Sequence, residues 1–182
     1  IKNLDLSLQP SLDFARDMFL FSFYTRGMSF IDMAYIKESD IKYNTLYYRR
    51  HKTGQQLQIR WERPMQELID KYKSITVAPY LLPICKSIDE PRTRYKNTMA
   101  RVNKSLKLVG KLANIESPLT MYVARHSWAN VARDQRVPIS IISQGMGHDS
   151  ELTTQIYLAS ISNILVDKAN SRIISKLHGA LG

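Results

Sequence analysis

Cysteine is nearly missing from this chain: there is one, Cys85, in 182 residues. A lone thiol can make neither an internal disulfide nor a multi-cysteine zinc site, so a reducing compartment is expected and Cys85 reads as a small core residue. Acids are also few. The 16 Asp and Glu are scattered over helix-cap and surface positions, without the converging carboxylates that a metal-dependent nuclease needs. No histidine, cysteine or carboxylate cluster has ligand spacing, so no metal and no cofactor are expected. No apolar run approaches the roughly 18 residues of a membrane span, and no charged-then-apolar leader opens the chain, which predicts a cytoplasmic protein without a membrane partner.

What is present is positive charge. Lys and Arg number 26, giving a net charge of +10 and a pI near 9.7, a balance that suits a polyanionic partner. Charge alone does not choose between nucleic acid and an anionic membrane surface. Hydrophobic residues make up 44% of the chain, enough for one buried core, so residues 1–182 read as one domain.

Hydrophobic periodicity sets out the elements. Leu12, Phe14, Ala15, Met18, Phe19 and Phe23 recur at helical spacing, with Ser11 as N-cap and Gly27 as the stop. Ser29 and Asp32 then open a short second helix, which puts Arg26 at a helix–helix junction. Between Ile41 and Trp61 the period falls to two. Leu46, Tyr48 and Arg50 alternate on one side and Leu57, Ile59 and Trp61 follow suit after a break at Thr53-Gly54, predicting a hairpin with Lys52 near its tip. Pro64 opens a helix to about Tyr72, and a Pro-containing segment from Pro79 to Ile84 leads to the next.

From Arg92 to Lys111 there are seven basic residues and no acid, on a helix expected to close at Gly110. Arg92, Arg94, Lys96 and Arg101 there, with Arg49 and Arg50 on the hairpin, are candidate contacts to a DNA backbone. A solvated surface is the plainer alternative for such a run. Further helices are predicted after Thr120, Pro138 and Ser150, and a last one from about Asn163 to Leu177. The fold class is α+β, mainly helical, with one small antiparallel sheet.

Single tyrosines and histidines carry little meaning in a chain with ten of one and four of the other. An ordered set carries more: Arg26 after a helix, Lys52 on a hairpin, Tyr122-Val-Ala-Arg125-His126, Met146-Gly147-His148, and Tyr157 nine residues beyond His148. This set resembles the catalytic domain of the tyrosine recombinase (phage integrase) family, and among its members the integrases of bacterial mobile elements. Five of the family's six positions match. The sixth departs, with Tyr122 where the family usually has a histidine; tyrosine can donate a hydrogen bond but, with a pKa near 10, cannot shuttle protons near neutrality. Tyr122 also fits as an aromatic packed on its helix.

The resemblance implies a chemistry. Tyr157 would attack a phosphodiester to give a 3′-phosphotyrosyl enzyme and a free 5′ hydroxyl. Arg26 and Arg125 would neutralise the phosphate oxygens, His148 would donate to the phosphate or take the nucleophile's proton, and Lys52 would protonate the departing oxygen. His126 reads as a supporting or packing residue, Trp128 as core, Thr153 and Thr154 as helix support, and His51 and His178 as surface. It also implies double-stranded DNA and further protomers as partners, in a tetrameric synapse with possible DNA-bending accessory proteins, on a bacterial nucleoid. The helical domain that relatives carry ahead of this region is expected to be absent. In relatives the segment beyond the tyrosine helix docks on a neighbouring protomer, a role that Ile164, Leu165, Ile173, Ile174 and Leu177 could serve, or they could fold back on their own domain. Two other activities stay open: relaxation of the type IB topoisomerase kind, and DNA binding with weak or lost catalysis.

Overall fold

The computed structural model describes the backbone of residues 1–86 and 94–179, and the side chains through 158, of 167 and of 170–175 within that range. Helix α1 (Pro10–Tyr24) is the central element, with Ala15, Met18 and Phe21 fully buried and packed on helices α4 (Arg94–Leu112) and α5 (Met121–Asp134). Its start differs from expectation. Pro10 occupies the first turn and Gln9 the cap position, so Ser11 lies inside the helix; the N–H that proline lacks would have no partner within the helix at that position, and its fixed φ suits the turn. At the other end Arg26 and Gly27 take φ of +61° and +76°, and the Gly27 amide donates back to Ser22 O at 2.7 Å.

Helix α2 (Phe30–Tyr35) begins as predicted, with the Ser29 hydroxyl accepting from the Asp32 amide. Strands β1 (Ile41–Lys42), β2 (Thr45–Arg49) and β3 (Gln56–Arg60) form one antiparallel sheet in that order. The register sets Leu46 opposite Ile59 and Tyr48 opposite Leu57, and all four are buried. The alternation continues past the strand, so Arg50 is buried as well. Helix α3 (Arg63–Tyr72) follows, with proline in its first turn.

Two further helix boundaries correct the sequence reading. Gly110 does not end α4: it lies inside the helix, where a Cβ would sit 3.2 Å from Leu119 Cγ, and the left-handed stop falls to Asn114 at φ +54°. Asn163 does not start a new helix either. Helix α7 runs unbroken from Glu151 to Gly179, because no glycine or proline interrupts residues 151–178. On it Ile173 and Ile174 are exposed, while the side chains of Ile164, Leu165, Leu177 and His178 lie outside those described.

Most of the core joins α1, α2, the sheet and α3, and includes Cys85, whose thiol donates to Ala34 O at 3.4 Å. A second cluster joins α5, helix α6 (Ile139–Met146) and α7 through Ala129, Ile142, Met146 and Leu158, with Trp128 half-buried against it. Arg125 sits on α5 between the two. Among the described residues no helix is long and apolar enough to cross a membrane.

Candidate active site

A cavity of about 610 Å³ opens between the hairpin turn, α5 and α7, and Lys52, Tyr122, Arg125, His148 and Tyr157 all line it. Thr120 caps α5 by accepting from the Val123 amide, and Ser150 accepts from the Thr153 amide at 3.3 Å to start α7. The left-handed Gly147 that ends α6 delivers His148 between them.

Arg125 is 8% exposed. Its Nη1 donates to Gly27 O at 2.8 Å and its Nη2 to Met146 O at 2.7 Å. This explains the glycine at 27, where a Cβ would lie 2.7 Å from Arg125 Cγ. Nη2 also meets His148 Nε2 at 3.1 Å. Because a guanidinium can only donate, Nε2 must accept and the imidazole proton sits on Nδ1, from which it donates to Thr154 Oγ1 at 2.7 Å. Burial first, then the charges of Arg125 and Arg50, bring the His148 pKa down to about 4. At neutral pH it is an uncharged base whose lone pair rests on Arg125.

Tyr157 is half-buried. His126 stacks on its ring with centroids 4.6 Å apart, and the rings of Tyr122 and His148 meet it edge-on at 6.3 and 5.7 Å. Burial raises the Tyr157 pKa and Tyr122 adds to the rise, against the pull of Arg125. The phenol is therefore protonated at neutral pH and needs a base to become a nucleophile. Tyr122 itself is 60% exposed, and its ring packs edge-on against His126 of the same helix at 4.1 Å.

Lys52 is held at the cavity rim from behind: the buried Asp32 carboxylate accepts from the His51 amide at 2.8 Å, and His51 stacks on Tyr35. His51 thus has structural partners that a surface reading missed.

Other residues fall elsewhere. Arg26 does not reach this cavity; its left-handed backbone turns it to the far side of the hairpin, where Nη1 donates to Gln58 O at 3.3 Å and the side chain borders a separate opening with Gln55, Trp128 and Gln144. Arg50 is 7% exposed and lines the Tyr157 cavity, with Nη1 donating to Gly147 O, on the side that the alternation with Leu46 and Tyr48 gives it. Arg49 is exposed and donates to Gly54 O at 2.8 Å. Arg94, Lys96 and Arg101 are exposed on α4, although Arg101 borders a different cavity, beside Phe14 and Pro83. Arg92 lies outside the described residues. Thr154 and His126, read from sequence as support, prove to touch His148 and Tyr157 directly. The regular spacing of His126 and Tyr122 on one helix turn was the available signal for His126. Among the described residues no group of three potential ligands could hold a metal ion.

The profile of the Phage integrase family matches residues 15–163. The chain belongs to this family of tyrosine recombinases. No curated protein sequence matches it. Among solved structures, XerA recombinase is similar over 86% of this chain and 61% of its own, at 18% identity and a TM-score of 0.57. XerH bound to its difH substrate before cleavage is similar over 79% and 42%, at 17% identity and a TM-score of 0.59. A lambda integrase dimer bound to a COC′ core site is similar over 80% and 42%, at 18% identity and a TM-score of 0.58. These likenesses show the tyrosine recombinase catalytic fold, and this chain spans less than two thirds of each of those proteins.

Proposed function

We propose that this integrase-family chain cleaves and rejoins DNA strands through a phosphotyrosine on Tyr157, in the service of site-specific recombination. The observation that carries the reading is the meeting of Tyr157, Arg125, His148 and Lys52 in one cavity. As the Tyr157 oxygen bonds to phosphorus, the bond from phosphorus to the 5′ oxygen breaks. The phenolic proton passes to His148 Nε2, released from Arg125 as the guanidinium turns to the phosphate, and the Lys52 ammonium gives a proton to the leaving oxygen. Tyr122 offers a hydroxyl to the same phosphate but no proton relay. The phosphotyrosine conserves the bond energy, so rejoining is the reverse reaction and needs no ATP.

Double-stranded DNA as substrate accords with the +10 charge and with XerH and lambda integrase, which have been solved on DNA. The lambda integrase dimer supports a second protomer as partner. Exchange between two duplexes would take four protomers, and integration or excision of a bacterial mobile element is the role that fits. The test is to incubate the chain with a pool of nicked duplexes randomised around the nick, and to recover DNA linked covalently to protein. Adduct with the wild type and none with Tyr157→Phe is the expected result; adduct formation that survives Tyr157→Phe overturns the assignment. Supercoil relaxation without exchange between two marked sites would make the activity that of a topoisomerase.

A further inference from the structure

Arg50 and Arg125 are both buried and both line the Tyr157 cavity. Among the described residues neither is paired with a carboxylate; their recorded partners are the carbonyls of Gly147, Gly27 and Met146 and the neutral ring of His148. Two buried cations without a counter-charge are costly, and they repel one another. Such a pair becomes favourable when an anion enters between them. Arg26 has no part in this arrangement, since its guanidinium is at Gln58 O on another opening.

Building on the strand-cleavage reading, we infer that Arg50, rather than Arg26, supplies the second guanidinium that clamps the scissile phosphate opposite Arg125. The local structure is built for it. Arg50 closes the hairpin turn through its own backbone, its amide donating to Gln55 O and its carbonyl accepting from Gly54, both at 2.8 Å. Gly147 leaves room for its stem, since a Cβ there would lie 2.8 Å from Arg50 Cδ. The Gly147 carbonyl takes one guanidinium N–H, and a guanidinium has five. Two residues on, Lys52 reaches the same cavity, so one turn would deliver both a phosphate clamp and the acid for the leaving oxygen. The charge of Arg50 is felt at both Arg125 and His148, lowering the pKa of each, as it must be if all three converge on one phosphate.

The experiment uses a nicked duplex recovered with the wild-type chain, in two versions: the natural phosphodiester, and a methylphosphonate at the scissile position, which lacks the negative charge. Release of the 5′-hydroxyl strand is timed for wild type, Arg50→Ala, Arg50→Lys and Arg26→Ala. On the phosphodiester, Arg50→Ala is expected to lose about 100-fold or more and Arg26→Ala to stay within about threefold. On the methylphosphonate, where no charge needs neutralising, the deficit of Arg50→Ala should shrink to about tenfold or less. A purely structural defect would persist on both substrates. Arg50→Lys keeps the buried charge and so the fold, and should show a smaller deficit with the same rescue. Wild-type rates for Arg50→Ala, an equal loss on both substrates, or a methylphosphonate-rescued loss in Arg26→Ala would each overturn the inference while leaving the Tyr157 chemistry standing. No adduct with the wild type on any duplex would overturn both.

Discussion

The imidazole of His126 lies parallel to the phenol of Tyr157, with 3° between the ring planes and 4.6 Å between centroids. One helix turn away on α5, Tyr122 meets His126 edge-on at 4.1 Å. The candidate nucleophile thus rests on a two-ring shelf from a different helix, which limits the directions its oxygen can take. A stacked aromatic pair contributes about 0.5–1.5 kcal/mol beyond its buried area, which converts to roughly a 2- to 12-fold change in rate if it acts on positioning. His126→Ala should slow adduct formation by that factor, and His126→Phe, which keeps the flat face, should restore most of it. Equal rates for alanine and wild type would show that the shelf has no role in orienting Tyr157.

Acid should weaken the fold through His148. Its folded-state pKa of about 4 lies below its ordinary 6.5, so the unfolded chain binds the proton more readily. Stability from this residue is complete above about pH 6.5 and is lost as the pH falls towards 4. Burial lowers the His126 pKa as well, and it contributes in the same direction. Thermal melts between pH 7.5 and 4.5 should show this fall, with a shallower slope in His148→Gln; an unchanged slope would mean that the half-buried imidazole is not its source. Strand cleavage should fail over the same range, because the protonated ring has no lone pair for the Tyr157 proton.

Much of this site could be read from the residues. Arg125 and Tyr157 are carried on helices whose caps, Thr120 and Ser150, are written in local sequence, His148 follows the left-handed Gly147 that ends α6, and all three line one cavity. Arg50 lines this cavity and Arg26 a separate opening for a different reason. Motif order places Arg26 at a junction, but the direction of its side chain is set by two consecutive left-handed residues, which no periodicity reports. The alternation of Leu46, Tyr48 and Arg50 did point inward, and all three are buried, although burial of a guanidinium is uncommon. The Thr154 bond to His148 is a contact between a loop residue and the next helix, and local pattern does not encode it.

Two glycines with the same backbone habit should respond differently to substitution. Gly54 and Gly147 have φ of +72° and +65°, so a side chain costs about 1–2 kcal/mol of backbone strain at either. At Gly54 a Cβ meets nothing within 4 Å, whereas at Gly147 it would lie 2.9 Å from Leu57 Cδ1 as well as against Arg50. Gly54→Ala should lower the melting temperature by roughly 2–8 °C and leave cleavage per folded molecule unchanged. Gly147→Ala adds overpacking of about 1–3 kcal/mol and displaces Arg50, so it should melt lower still and lose cleavage. Similar cleavage by the two variants would argue that the Gly147 cradle does not hold Arg50 in place.

Asp17 separates stability from chemistry. It is buried on α1, and its carboxylate accepts from Arg16 Nε at 2.8 Å, Lys71 Nζ at 2.5 Å and the Tyr72 hydroxyl at 2.8 Å. Those bonds fasten α3 to the central helix at a point remote from the Tyr157 cavity, whose lining includes none of these residues. Removing one partner of a buried ionic cluster costs about 3–5 kcal/mol because the others are left uncompensated. For a chain of this length that is a fall of roughly 6–20 °C in melting temperature. Asp17→Ala should show it, while adduct formation per folded molecule, assayed well below the melting point, stays within about twofold of wild type, as expected for distant sites that share no partners. A melting temperature close to wild type would mean that solvent already screens the cluster. A loss of cleavage in the folded variant would mean instead that the packing of α3 on α1 is transmitted to the hairpin and its Arg50–Lys52 turn.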